Sequence, residues 1–133
     1  MGTKIGIMFG RFNPPHMGHV HAWKEASKCD EFFIGTNPDT LDNKNPIPFD
    51  VKLKIMETLC PEIKGHIVSK ANLFAMVTDI YKLYGEDVQI NIFTDETWLT
   101  NAVEKYNGVD SKHGYYKFNH IDNKSTPRIS SST

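Results

Sequence analysis

Two cysteines, Cys29 and Cys60, are all that a chain of 133 residues contains, too few for a disulfide framework. With no secretory leader, they are expected as reduced, partly buried thiols without chemistry. An excess of charge of either sign is missing as well. Fifteen basic side chains stand against sixteen acidic ones, a net charge of −1. No overall field exists to hold a nucleic-acid backbone, so polynucleotide partners are excluded. No apolar run approaches a membrane span, and the opening MGTKIG has neither the basic start nor the apolar stretch of a signal peptide. Gly6 stands where a myristoylation pattern needs Ser or Thr. A cytoplasmic protein with no membrane contact is expected. Internal repeats are absent and only the tail is Ser-rich, so the chain is read as a single domain over residues 1–133.

What the sequence does have is concentrated near its start. In KIGIMF, Ile5, Ile7 and Phe9 fall on one side and Gly6 and Met8 on the other, the pattern of a buried strand. GRFNPPHMGH follows, from Gly10 to His19. Gly10 lacks a Cβ and leaves room for a triphosphate to approach the backbone where the strand ends. Pro14 and Pro15 stiffen the turn, and Pro15 suits the first residue of a helix, where an N–H is dispensable. His16 and His19, three apart, share one face of that helix's first turn, and Gly18 keeps the face low. A helix start that presents N–H groups and imidazoles together is a phosphate site. The imidazoles are suited to offset charge that builds up in phosphoryl-type transfer. With His21 nearby, the two histidines could also be read as a metal pair. Zinc takes three or four ligands, however, and no cysteine or carboxylate cluster is spaced to complete the set. No metal held by protein side chains is expected.

Further along, Val20, Trp23 and Ala26 have helical spacing within a helix predicted over residues 15–27. A second strand is predicted over 30–36, and Asn37 opens a loop with three prolines that runs to Pro48, long enough to be functional. Val51, Ile55 and Leu59, widened by Leu53 and Met56, form the apolar face of a helix over 49–60, with Lys52 and Lys54 on its other sides. A weak strand at 65–70 precedes a helix capped by Asn72 and ended by Gly85. A fourth strand over 87–94 runs into Asp95, a cap for a helix over 96–106 that buries Trp98, Leu99, Ala102 and Val103. The last strand is placed at Tyr115–His120, and His113 and His120 are expected to be surface or structural histidines. About five strands alternating with helices imply a parallel α/β sheet of Rossmann-like topology with helices on both faces.

Gly10, Phe12, Pro14, His16, Gly18 and His19 together resemble the strand-following signature G-x-F-x-P-x-H-x-G-H of the nucleotidylyltransferase superfamily. The resemblance implies transfer of a nucleoside monophosphate from ATP or CTP to a phosphate on a small acceptor, with Mg²⁺ present and pyrophosphate released. In that picture His16 and His19 are catalytic and Phe9, Gly10, Arg11, Phe12 and Gly18 line the nucleotide. Lys44 and Lys52 match basic residues that meet the acceptor's phosphate, and Asn37 faces the same space. Asp95 matches the Asp of a family Gly-x-Asp, although Phe93 stands where the Gly belongs. Ser131, Ser132 and Thr133 resemble the Ser-Ser-Thr part of a second signature, I-S-S-T-x-x-R, whose Arg would fall beyond Thr133. A phosphate-binding helix cut short in this way implies weak catalysis, or recruitment of Arg128 or Arg11 to the leaving group.

Asn13–His16 resembles nicotinate-mononucleotide adenylyltransferases, and Gly10–Phe12 resembles nicotinamide-mononucleotide enzymes of archaeal type and related phage proteins. Adenylyl transfer to a pyridine mononucleotide is therefore favoured. Cytidylyl transfer to a phosphorylated alcohol is the alternative, and a nucleotide-binding module without efficient catalysis the third reading. Aminoacyl-tRNA synthetases share a related His-x-Gly-His element, but 133 residues leave no room for their other domains. Homo-oligomerisation leaves no mark in such a sequence.

Overall fold

Alternation fixes the centre of the molecule. In a computed structural model that describes residues 3–13, 15, 17–38, 46–94 and 96–124, β1 (Thr3–Gly10) turns the fully buried Ile5 and Ile7 to one face and Met8 to the other. β2 (Glu31–Thr36), β3 (Ile67–Ser69), β4 (Val88–Phe93) and β5 (His120–Lys124) complete a sheet in the order β3-β2-β1-β4-β5. Every pairing is parallel, with Gly10 opposite Thr36, Thr3 opposite Val88 and Gln89 opposite His120. The helices α1 (Met17–Ala26), α2 (Phe49–Leu59), α3 (Leu73–Tyr84) and α4 (Thr97–Lys105) alternate with the strands, and Pro61–Ile63 form one 3₁₀ turn. The result is the α/β, Rossmann-like sheet that the alternation of elements implies.

Two apolar clusters, one per face, hold the layers together. Val20, Trp23 and Ala26 of α1 meet Met56, Cys60 and Ile63 over Phe32, Ile34 and Phe93. On the other face Leu73, Met76, Val77 and Ile80 of α3, with Val103 of α4, cover Ile5, Ile7, Val88, Ile90 and Ile92. Asn72 caps α3 as expected, its Oδ1 accepting the Ala75 N–H at 2.9 Å, and Gly85 ends it at φ 76°. Chain order reverses between β1 and β4: the path runs outward through β2 and β3, then resumes on the far side of β1. The carboxyl ends of the strands at such a reversal are where open α/β sheets bind ligands.

Three expectations need correction. The last strand lies at His120–Lys124, after the aromatic segment and not within it. Tyr116 and Phe118 are buried, but Phe118 bonds to Asn107, N–H to Oδ1 at 2.8 Å and C=O from Nδ2 at 3.0 Å, and Tyr116 OH donates to Val103 O at 2.6 Å. Their alternation reports packing against α4's end, not a ladder. Trp98 is not core: it is 63% exposed, because Thr100 and Val103 set the inward phase of α4 and position 98 falls on the opposite side. In α2 the inward stripe is Lys52 and Met56, while Val51 faces solvent. The thiols of Cys29 and Cys60 are unpaired with each other, and burial raises both above the ordinary thiol value. Among the described residues no helix is long and apolar enough to cross a membrane.

Candidate active site

The sharp turn after β1 is built around an aromatic ring. Phe12 has φ 48°, in the left-handed region, and only 4% of it is exposed. That backbone folds the ring back over the strand end, where a Cβ on Gly10 would lie 2.8 Å from Phe12 Cε1 and Cζ. Gly10 therefore makes room for Phe12's ring. The ring then meets His19 edge to face at 4.8 Å and Trp23 at 5.3 Å. His19 and Trp23, one helical turn apart, stack at 5.7 Å and 26°. The Trp23 indole is fully buried, and its N–H has no acceptor among the described residues. Its ring faces account for its place, beneath His19 and beside Phe12. An imidazole in the first turns of α1 is thus held by two aromatic walls.

Beneath the same turn lies a buried charge. Lys52 is fully buried, and its Nζ donates to Thr36 Oγ1 at 2.9 Å, to Arg11 O at 3.0 Å and to Asn37 O at 3.1 Å. Thr36, equally buried at the end of β2, donates its hydroxyl hydrogen to the same Arg11 oxygen at 3.1 Å. Three segments meet at one ammonium: the turn after β1, the end of β2 and helix α2. The Phe49 ring completes the surroundings, its centroid 5.3 Å from Nζ. Two amide side chains brace the loop that follows β2. Asn13 Nδ2 donates to Ile47 O and Ile47 N–H to Asn13 Oδ1, both at 2.9 Å, and Asn37 Nδ2 donates to Ala71 O at 2.8 Å.

Gly10, Arg11, Phe12, Gly18, His19, Asn37 and Lys52 are thus assembled at the carboxyl ends of β1 and β2, with Arg11 exposed and Lys52 inside. Phe9 lies in the last turn of β1's pleat, packed against the α3 side of the sheet. His16, Lys44, Asp95, Arg128, Ser131, Ser132 and Thr133 lie outside the described residues. Phe93, in the place where the family's Gly was expected, joins Phe12 and Trp23 in the cluster under α1. The sequence places Trp23 in the core and Thr36 on the same side as Gly10, but assigns neither a part in the site, and it gives Asn13 no contact of its own. Thr36 had a signal, as the polar residue closing an apolar strand, and Trp23 had another, its four-residue spacing from His19. Among the described residues no group of three or more His, Cys, Asp or Glu side chains could hold a metal ion. His113 is accounted for by packing, stacked on Phe74 at 4.0 Å and edge-on to Tyr106 at 4.7 Å.

Residues 7–133 match the model of a family described as cytidylyltransferase-like. Two solved structures share the fold, each with a TM-score of 0.54. One is a protein of Vibrio parahaemolyticus provisionally assigned as a nicotinate-nucleotide adenylyltransferase; at 16% identity the match covers 92% of this chain and 74% of that one. The other is the nicotinic acid mononucleotide adenylyltransferase of Plasmodium falciparum, 13% identical over 96% of this chain and 76% of that one.

Proposed function

The chain belongs to the cytidylyltransferase-like family of nucleotidyltransferases, and from that premise we propose that it moves AMP from ATP to the phosphate of a small acceptor such as nicotinamide or nicotinate mononucleotide. The observation that carries this reading is the turn Gly10–Asn13 with His19 beside it, at the carboxyl end of the central strand where the chain order reverses. The choice of adenylyl over cytidylyl transfer is supported by the Asn13–His16 and Gly10–Phe12 resemblances and by the adenylyltransferase assignments of the two structural neighbours.

In this mechanism an acceptor phosphate oxygen attacks the α-phosphorus in line. A new P–O bond forms, the bond from the α-phosphorus to the α,β-bridging oxygen breaks, and pyrophosphate leaves with the bonding pair. Positioning and charge stabilisation supply the catalysis, and no covalent enzyme intermediate is needed. His19, fixed by Phe12 and Trp23, and His16 stabilise charge on the phosphates. Arg11, exposed at the same edge, serves the leaving group, with Arg128 and the tail hydroxyls as further candidates. Mg²⁺ would enter with the nucleotide's own phosphates and would supply charge neutralisation there.

The test is pyrophosphate release with Mg²⁺, crossing ATP and CTP against nicotinamide mononucleotide, nicotinate mononucleotide, phosphopantetheine and glycerol phosphate. Turnover with ATP and a pyridine mononucleotide is expected, falling about 10²–10³-fold in His19→Ala. Turnover only with CTP and glycerol phosphate would transfer the assignment to cytidylyl transfer. Silence throughout, with ATP still bound, would mark a binding module.

A further inference from the structure

A fully buried ammonium is an unusual choice for the inner face of a helix. Desolvating the charge is costly, and a methionine would fill similar space at position 52 without that cost. The charge therefore calls for an explanation in what it touches. The oxygens of Arg11, Thr36 and Asn37 lie 2.9–3.1 Å from Nζ, and each accepts one of its N–H donors. Arg11 O accepts a second hydrogen bond from the Thr36 hydroxyl, so both of its lone pairs are engaged from the interior. That fixes the direction of one peptide group. In a trans peptide the C=O and the following N–H point in opposite directions. With Arg11 C=O held inward, the Phe12 N–H is turned outward, at a residue whose φ of 48° lies in the left-handed region that anion-binding backbone turns use.

We infer that Lys52 is a positioning residue for the nucleotide's phosphates: it acts on them through the Arg11–Phe12 peptide and through its fixed positive charge beneath the turn, and it is not a direct ligand of the acceptor. The inference rests on the nucleotidyl-transfer reading for the identity of the ligand, while its structural part, the orientation of one peptide by one ammonium, does not. Thr36 belongs to the same device, because its hydroxyl both accepts from Lys52 and donates to Arg11.

The test uses the full chain and needs no turnover. Lys52→Met and Thr36→Val are compared with the unsubstituted protein by calorimetric titration with ATP and Mg²⁺ in the absence of acceptor, and by the backbone amide resonance of Phe12. Loss of Lys52 is expected to weaken ATP binding about tenfold or more, and Thr36→Val about threefold. The Phe12 amide should shift in both, while affinity for a pyridine mononucleotide alone changes less than that for ATP. The result that overturns the inference is ATP affinity within about twofold of the parent together with collapsed mononucleotide affinity, the signature of a direct acceptor ligand. An unmoved Phe12 amide overturns it as well. If Lys52→Met does not fold, Thr36→Val, which keeps the charge and removes only the bridging hydroxyl, carries both readouts. A parent that binds ATP but turns over no acceptor would sink the proposed activity and leave this inference standing; a parent that binds no ATP would sink both.

Discussion

Replacing Gly10 with alanine separates two accounts of why a glycine ends the first strand. If the missing Cβ serves only a ligand's approach, Gly10→Ala should leave stability alone and weaken nucleotide binding. The structure gives a different expectation, because a Cβ there would lie 2.8 Å from two carbons of the Phe12 ring and 3.3 Å from a third. Carbon contacts settle at about 3.5–4.0 Å, so the ring must retreat by about 0.7–1.2 Å. It has nowhere to go, with His19 and the fully buried Trp23 packed against it. Overpacking of that kind costs about 1–3 kcal/mol. Phe12→Ala alone should cost about 3–5 kcal/mol, as for other buried phenylalanines. In the Phe12→Ala background the added Cβ meets an emptied space, and Gly10→Ala should be neutral or slightly stabilising, by up to about 1 kcal/mol, because it stiffens the unfolded chain. Urea midpoints for the four chains of this cycle, with unchanged m, would give a coupling of about 1–3 kcal/mol. Equal cost in both backgrounds, or a Gly10→Ala chain as stable as the parent, would refute the steric account.

Two further expectations follow from burial. Trp98→Ala should change stability by no more than about 0.5 kcal/mol, since the side chain is 63% exposed; acrylamide should quench Trp98 and spare Trp23, and a loss of 2 kcal/mol or more would restore Trp98 to the core. The second concerns alkaline pH. Burial raises the thiols of Cys29 and Cys60 and the phenol of Tyr116, the last well above the ordinary tyrosine range. Each group therefore holds its proton more tightly folded than unfolded. The stability this represents is complete below the ordinary values and is lost as pH rises past about 8.5 for the thiols and about 10 for the phenol. Denaturation midpoints should fall across that window, less steeply above pH 10 in Tyr116→Phe; a flat profile would contradict the burial.

Most of the fold was legible because its signals are local. KIGIMF and VQINIF carry their faces in their alternation, and Asn72 and Gly85 bound α3 by the conformations those residues favour. Trp98 was misread because a nine-residue helix offers too few turns to fix its phase, and a polar residue, Thr100, points inward beside Val103. The last strand was misplaced because HIDNK has one apolar side chain, whereas the neighbouring Tyr116 and Phe118 imitate strand periodicity while bonding to Asn107 and α4. At the candidate site, the residue types from Gly10 to His19 mark the segment in the sequence itself. The hub carries no such mark. Whether a lysine faces water or the interior depends on oxygens from Arg11, Thr36 and Asn37, which come together only after three segments have folded.

The position of β1 also sets an order of events during synthesis. Of the described strands β1 is synthesised before the others yet lies in the middle of the sheet, and one of its edges waits for β4, with Thr3 finding Val88. Translation proceeds at about 5–20 residues per second, so that edge of an apolar strand stays open for several seconds. Parallel pairing offers no short hairpin to close it sooner, and such non-local contacts make folding slow. During that interval β1 has only β2 as an early neighbour, through the crossover that contains α1. Of the described strands, the one that leads into the Gly10–His19 turn is therefore made before its neighbours and stays half-paired until β4 emerges, and the nascent chain's exposure to aggregation is concentrated there.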